Sequence, residues 1–183
     1  MTTAQAEKLL RKYYPPGGEA YAYLYGHSKA VAEHALGICR KHPGLNADTG
    51  LVFTGALLHD IGIFMTHAPA IGCHGDHPYL LHGCLGRELL EKEGWPLHAL
   101  ICERHVGTGI SMDDIRKNKL PLPLRDMLPL SIEEEIICFA DKFYSKKPGR
   151  LSEPKTPEAI IRKLKKYGDD KAAVFAGMMK RFA

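Results

Sequence analysis

The spacing of apolar residues predicts helices along nearly the whole chain. Leu24, Val31, Ala35 and Ile38 recur at spacings of seven, four and three residues, which is typical of a helix with one face packed inward. No stretch shows the strict alternation of a half-buried strand over a useful length. We therefore expect an all-α fold, with helices over about 3–13, 19–42, 51–58, 78–93, 96–106, 111–117 and 131–141 and two more after residue 156.

The stretch from Leu51 to Leu58 is apolar on every face of its helical wheel, which indicates a helix buried on all sides. His59 and Asp60 follow directly, and we expect Gly62 to end the helix in the left-handed conformation that glycine adopts easily. Burying a carboxylate beside an imidazole is costly unless something compensates the charge. Either a buried His–Asp ion pair holds a loop here, or a metal ion is the compensating group.

The composition is that of a globular protein with one domain. The 183 residues are 45% hydrophobic and 25% charged, and no apolar run approaches the roughly 20 residues that span a bilayer. We predict a single domain over 1–183, with a core over about 19–145 and C-terminal helices over 156–183. Five cysteines without CxxC spacing, and no signal peptide, indicate a cytoplasmic protein.

The charge balance bears on the partners of the chain. A net charge of +4 and a pI near 8.7 make it mildly basic. This suits a small phosphorylated substrate such as a nucleotide, but the charge is too weak and too dispersed to indicate a specific nucleic acid. We expect no membrane partner, and a homodimer remains open. Ten histidines exceed what an average composition would give, which is the first indication of metal chemistry.

Further polar residues lie on or beside the apolar stripes of other helices: His27, His82, His105 and Asp141. With His59 and Asp60 they come from five helices of one domain, and a common metal centre explains them better than six separate packing roles. Imidazole and carboxylate donors favour one or two divalent transition-metal ions (Fe, Mn, Zn, Co or Ni) over Ca. Packing is the simpler role for three other histidines, His34, His42 and His98.

The segment 66–77 is rich in Gly, Pro and His and is interpreted as a mobile lid over the site. Cys73, His74 and His77 within it are similar to a fragment of a zinc site, but the loop offers them no fourth partner.

In the order His…His-Asp…His…His…Asp, these residues resemble the HD superfamily of metal-dependent phosphohydrolases, whose signature tetrapeptide matches His59-Asp60-Ile61-Gly62. The resemblance runs from about Gly26 to Tyr144, and symmetrical diadenosine-tetraphosphate hydrolases are similar in ligand order and size. It implies an all-α HD-domain bundle with the metal centre in its core. Shorter matches support it at His27-Ser28, His82-Gly83 and Ala140-Asp141-Lys142.

By this resemblance, one metal ion would be held by His27, His59, Asp60 and Asp141. A second ion would be held by Asp60, His82 and His105. Asp60 would bridge the two ions, and a hydroxide between them would attack a phosphoester or phosphoanhydride of a nucleotide or another small phosphorylated molecule.

Where many relatives place a lysine after the signature glycine, this chain has Ile63, so a phosphate contact must come from elsewhere. The candidates are Lys142, Arg104 and Lys146. A basic loop after the last aspartate contains Lys142, Lys146, Lys147 and Arg150. Glu103 or Arg104, just before His105, could also orient the His105 ring by hydrogen bonding, although exposed charges at a helix end explain both residues about equally well.

Other members of the superfamily are less similar. Val106 and Gly109-Ile110-Ser111 stand where the branch that cleaves cyclic di-GMP has a second histidine and a Gly-Tyr-Pro signature. A non-catalytic HD-like module that binds a nucleotide and regulates a partner is the main alternative, and a di-iron oxygenase is a more distant one. The complete set of six ligands favours the phosphohydrolase, because a binding module has no need of all six.

Overall fold

A computed structural model describes residues 1–146, 151 and 153–183, and within them the fold is all-α, as predicted. Lys147 and Arg150 of the predicted basic loop lie outside the described residues. No helix in the described part is long and apolar enough to span a bilayer. The α-helices in that part are α1 Thr3–Tyr13, α2 Glu19–Lys41, α3 Thr49–Leu58, α4 His82–Lys92, α5 Pro96–Arg104, α6 Met112–Asn118, α7 Ile132–Asp141, α8 Pro157–Leu164 and α9 Asp169–Phe182.

Helix α3 lies at the centre of the molecule, which confirms the interpretation of its apolar sequence. It packs against α1, α2, α5 and α7, and Val52, Ala56 and Leu58 have no exposed surface. Asp48 caps its N-terminus by accepting hydrogen bonds from the backbone N–H groups of Gly50 and Leu51. The helix therefore delivers the residues at its C-terminal end, His59 and Asp60, into the interior.

Two apolar clusters meet at α3. Val52 and Ala56 belong to a cluster that α2, α7, α8 and α9 complete, and Phe139 stacks there on Phe175 at a centroid distance of 5.3 Å. The last residues of the helix, Leu57 and Leu58, belong to a second cluster with α1, α4 and α5. A helix shared by two clusters has no polar face, which is why α3 lacks an amphipathic pattern.

The structure corrects the expected role of Gly62. Helix α3 ends at His59 in the right-handed region, Asp60 follows, and Gly62 lies in a 3₁₀ turn, Ile61–Met65, without a positive φ. A Cβ at Gly62 would lie 2.2 Å from the carbonyl oxygen of His82 and 2.5 Å from the backbone nitrogen of Gly86. Glycine is required here because the backbone of α4 touches the turn, and this contact holds His82 beside Asp60.

Tyr14, directly after the first helix, fixes the same turn. The hydroxyl of Tyr14 donates a hydrogen bond to the carbonyl of Ile61 at 2.9 Å and accepts one from the N–H of Phe64 at 2.9 Å. The thiol of Cys102 donates to the carbonyl of His59 at 2.9 Å. The backbone on both sides of Asp60 is therefore held by Tyr14 and Cys102, which leaves its carboxylate little freedom.

The segment after the turn contains the only strand pairing in the described residues. Strands β1, His67–Ala68, and β2, Cys73–His74, form a short antiparallel hairpin that the sequence pattern did not predict. Ile71 and Cys73 anchor it by packing into the second apolar cluster. Its mobility as a lid stays a prediction.

Gly62→Ala should destabilise the fold by about 3 kcal/mol, because the added methyl group collides with backbone atoms that cannot rotate away. The measurement is the free energy of unfolding by urea. Gly177→Ala is the matched control: a Cβ at Gly177 in α9 meets nothing within 4 Å, so this change should be neutral or slightly stabilising. Equal stability of the two variants would show that the close contact with α4 is not needed.

Candidate metal centre

The structure brings all six predicted ligands together in the core. His27 lies within α2, and the other five stand at helix ends: His59 and Asp60 after α3, His82 at the start of α4, His105 after α5 and Asp141 at the end of α7. Their ligand atoms form two groups, with atoms within 4.8 Å of one another in each. The first group is His27, His59, Asp60 and Asp141, and the second is Asp60, His82 and His105.

Asp60 is fully buried and belongs to both groups through different oxygens. Its Oδ2 lies 3.3 Å from Nε2 of His27 and 3.1 Å from Nε2 of His59. Its Oδ1 lies 3.4 Å from Nε2 of His82 and 3.3 Å from Nε2 of His105. One carboxylate therefore presents one oxygen to each group.

Three of the imidazoles are oriented by backbone carbonyls. The Nδ1–H groups of His59, His82 and His105 each donate to the carbonyl three residues earlier, at 2.6, 2.7 and 2.7 Å. A neutral ring that donates from Nδ1 has its lone pair on Nε2, and in each case Nε2 faces the centre. Such second contacts are usual for histidines that bind metals, because they fix the tautomer and the ring angle.

The pair His82 and His105 shows why a cation fits. Burial lowers the pKa of His82 to about 3 and also lowers the pKa of His105, so both rings are neutral at pH 7. Their Nε2 atoms are 3.2 Å apart, and with both Nδ1 protons donated elsewhere neither Nε2 has a proton to share. Both oxygens of Asp60 also lack a regular hydrogen bond within the described residues. These facing lone pairs are the donors that a divalent metal ion requires.

The charges of the two aspartates are stabilised by neighbouring groups. Burial would raise the pKa of Asp60, but His59 and Lys146 outweigh it and hold that pKa well below its usual range. For Asp141, Lys142 and Lys146 likewise outweigh burial and keep the pKa low. Both side chains are therefore ionised at pH 7. Burial would lower the pKa of His59, but Asp60 and Asp141 outweigh it and raise this pKa to about 9, so a metal ion held there would displace a proton from the ring.

Two of the three candidate phosphate contacts lie at the centre. Nζ of Lys142 is 2.7 Å from Oδ2 of Asp141 and donates to the carbonyl of His105 at 3.2 Å. Nζ of Lys146 is 2.7 Å from Oδ2 of Asp60. The ligand set is thus bordered by two ammonium groups.

The third candidate, Arg104, is not brought to the cluster. Its guanidinium donates to both oxygens of Glu134 at 3.0 and 3.1 Å, and Glu134 also accepts from the N–H of Leu130. This salt bridge directs Nη1 of Arg104 toward Glu134, and no contact in the described residues supports a phosphate contact by Arg104, which stays a prediction.

Glu103 is not an exposed charge at a helix end, nor does it contact His105 in the described residues. It is 1% exposed and forms ion pairs with Arg87 of α4 and with Arg125 of the connector before α7. Burial of an acid requires such partners. Its role is to join α5 to these two segments.

The packing roles of His98 and His34 are confirmed, that of His42 stays a prediction, and the fragment of a zinc site is not supported. His98 is buried and hydrogen-bonded to Thr54 at 2.9 Å, and His34 packs edge-on against Phe143. In the described part of the chain, Cys73 belongs to no group that could hold a metal ion.

Two residues near the centre were missed in the sequence. Tyr14 holds the turn after Asp60, and Tyr79 lies with its ring 4.8 Å from that of His82 and is partly exposed. Neither stands in a motif. Only the position of Tyr79 three residues before His82, where its carbonyl accepts from the ring, could have drawn attention to it.

Comparison with known proteins agrees with this geometry. A family model described as HD domain matches residues 24–145, which include all six ligands. No solved structure matches the chain.

Three relatives among curated proteins are similar over part of their length. An uncharacterized protein of Methanocaldococcus jannaschii is 39% identical over 118 residues, which cover 63% of this chain and 62% of that protein. Two proteins named tRNA (cytidine(56)-2'-O)-methyltransferase also match. The one from Thermoplasma volcanium is 36% identical over 67% of this chain and 32% of its own length, and the one from Picrophilus torridus is 37% identical over 54% and 25%. The chain therefore spans less than two thirds of each relative.

Asp60→Ala should lose bound divalent metal, because it removes the carboxylate that belongs to both groups of ligands. The measurement is elemental analysis after loading with Mn²⁺ or Zn²⁺ and desalting, with circular dichroism to show that the variant is folded. Asp114→Ala is the control, since Asp114 pairs with Lys171 and belongs to neither group. If Asp60→Ala retains the metal content of the parent, the assignment of the centre is wrong.

Proposed function

Because the chain belongs to the HD domain family, we propose that it is a metal-dependent phosphohydrolase that acts on a nucleotide or another small phosphorylated molecule. The observation that supports this most directly is the division of the Asp60 carboxylate between two sets of imidazoles, one at Oδ2 and one at Oδ1. A bridging carboxylate with nitrogen donors on either side is the arrangement that two catalytic metal ions use.

We assign the ions to the two groups of ligands. His27, His59, Asp60 and Asp141 would hold one, and Asp60, His82 and His105 the other. When bound, such ions supply Lewis acidity and lower the pKa of water toward neutrality. The proposed catalytic residues of the chain are Asp60 and Lys142.

The side chains prepare the site before any substrate arrives. Asp60 is held as a carboxylate by its neighbours, and the rings of His82 and His105 are kept neutral by burial. Lys142 fixes Asp141 and ties it to the end of α5 through the carbonyl of His105. A site built in this way loses little freedom when it binds its ligands, because the groups are already oriented.

The charge around the centre favours a phosphorylated substrate. Two carboxylates face two ammonium groups, those of Lys142 and Lys146, so the set is balanced once His59 has lost its proton, and each divalent ion then adds positive charge. A phosphate dianion is the ligand that such a surplus attracts. The mildly basic chain, at +4, acts in the same direction.

A non-catalytic role is the second candidate. In two relatives named for methyl transfer to tRNA, the segment similar to this chain makes up only 32% and 25% of the protein. A segment of that kind could serve as an accessory module that binds a nucleotide or the end of an RNA. The names of these relatives also favour a nucleotide as the ligand under either candidate.

The first prediction from this proposal concerns the number of ions. The metal-loaded parent should contain close to two ions per chain, and His82→Ala and His105→Ala about one each, with the first group still occupied. Elemental analysis together with protein quantification measures the ratio. His98→Ala is the control, since His98 is also buried but bonds to Thr54 instead of joining the centre. One ion in the parent, with no loss in either variant, would leave a mononuclear site.

The second prediction concerns the reaction. The metal-loaded parent should hydrolyse a generic aryl phosphate or at least one member of a panel of mononucleotides, cyclic nucleotides and dinucleoside polyphosphates. Chelation and Asp60→Ala should each reduce the rate to background. The assay is release of aryl alcohol or of inorganic phosphate, supported by chromatography of the nucleotides.

The outcomes of this screen separate the two candidates. Nucleotide binding measured by calorimetry without turnover would favour the accessory module. Hydrolysis that persists in Asp60→Ala would show that the activity does not come from this centre.

A further inference from the structure

The ammonium group of Lys146 lies in an unusual place for a lysine of a metal centre. Its Nζ is 2.7 Å from Oδ2 of Asp60, the oxygen that also faces His27 and His59. Lys146 acts as well on the charge of Asp141, the second carboxylate of the same group. A cation that stabilises both carboxylates of one ligand group occupies the electrostatic position that the metal ion of this group would take.

Two cations that need the same carboxylate oxygen repel each other. Unit charges about 4 Å apart interact strongly even at the effective dielectric constant of a protein surface, and the interaction doubles for a divalent ion. Lys142 does not meet this conflict to the same degree, because it contacts Oδ2 of Asp141 while His27 and His59 face Oδ1. The conflict is therefore centred on Lys146.

Lys146 also has a route toward solvent. Its side chain is 17% exposed, in contrast to the fully buried Asp60, so it stands between the centre and solvent. Its other neighbour is Tyr79, a partly exposed side chain whose ring lies 4.8 Å from that of His82. A phosphate that approaches the ligands from solvent would meet these two side chains first.

We propose that Lys146 is an exchangeable counter-cation: it competes with the metal ion for Asp60 and, once displaced, binds the phosphate of the substrate. The first half depends only on metal binding. The second half rests on the proposed function, since it requires a phosphorylated substrate. It also gives this chain the phosphate-binding lysine that Ile63 does not supply.

The opposite role is a lysine that supports a ligand. If Lys146 only oriented Asp60 by hydrogen bonding, its removal would weaken metal binding, as the loss of such supporting contacts generally does. Competition predicts the reverse sign. The affinity for metal therefore separates the two roles without any measurement of activity.

The test compares Lys146→Met with the parent by titration of the metal-stripped protein with Mn²⁺ against a chelator of known affinity. We expect Lys146→Met to bind the metal about tenfold or more tightly, and Lys146→Arg, which keeps the charge, to resemble the parent. Stripped Lys146→Met should also unfold at a lower temperature than the stripped parent, because Asp60 has lost its counter-cation, and saturation with Mn²⁺ should remove the difference. Unchanged or weaker metal binding would overturn the proposal.

Lys171→Met is the matched control. Lys171 pairs with Asp114 at 2.5 Å and is similarly buried, at 15% exposure, but neither residue belongs to the centre. This variant should lower the unfolding temperature equally with and without Mn²⁺ and leave the metal affinity unchanged. A metal affinity that rises in Lys171→Met as well would mean that any lost positive charge is sufficient, which would overturn a specific role for Lys146.

The phosphate step is tested with inorganic phosphate on the Mn²⁺-loaded proteins by calorimetry. Binding should be about tenfold weaker in Lys146→Met than in the parent, which is the effect of losing one charged hydrogen bond. Equal phosphate affinity of Lys146→Met and the parent would overturn the proposed phosphate contact. The metal titration would still decide whether Lys146 competes with the metal ion. Failure of the proposed function would be seen differently, as a parent that turns over no phosphoester whatever the titrations show.

Discussion

The burial of one carboxylate is the constraint on which the rest of this structure depends. Asp60 has no exposed surface and no regular hydrogen bond among the described residues, yet its neighbours keep it ionised. An ionised acid in such a place is tolerated only when cations or metal ions surround it. The protonated ring of His59 and the ammonium group of Lys146 supply positive charge here, while the neutral rings of His82 and His105 turn lone pairs toward the same carboxylate. These groups meet at Asp60 because α3 runs through the centre of the fold.

The architecture brings helix ends to one point. Five of the six candidate ligands stand at a helix end, and four of them, all except His82, stand at or just beyond a C-terminal end, where the last backbone carbonyls have no partner within the helix. His59 and His105 use those carbonyls to orient their own rings. The close contact of Gly62 with α4 and the clamp made by Tyr14 hold the backbone around the same point. The contacts that pack these helix ends therefore also fix the geometry of the candidate metal centre.

The two lysines that follow Asp141 balance the negative charge of the candidate centre. With Lys142 on Asp141 and Lys146 on Asp60, the acids are balanced by the chain itself, and bound metal ions would make the site strongly positive. Under the proposed function, such a site would suit an anionic substrate and would supply a lysine in place of the one that this chain lacks next to Gly62. The chain is also similar to segments of two larger proteins named as tRNA methyltransferases.

The sequence by itself determined the all-α class, most helix bounds and the six residues that cluster in the core, because helical periodicity is local and marks each polar residue that lies beside an apolar stripe. It could not determine the partners of the long charged side chains. Arg104 pairs with Glu134, Lys146 pairs with Asp60, and Glu103 is buried between two arginines. The sequence also suggested the wrong reason for glycine at position 62. Glycine is needed there because the backbone of α4, at least twenty residues further along the chain, touches the turn. Only the tertiary structure decided which imidazoles face each oxygen of Asp60, because helices that are distant in the chain meet at this carboxylate.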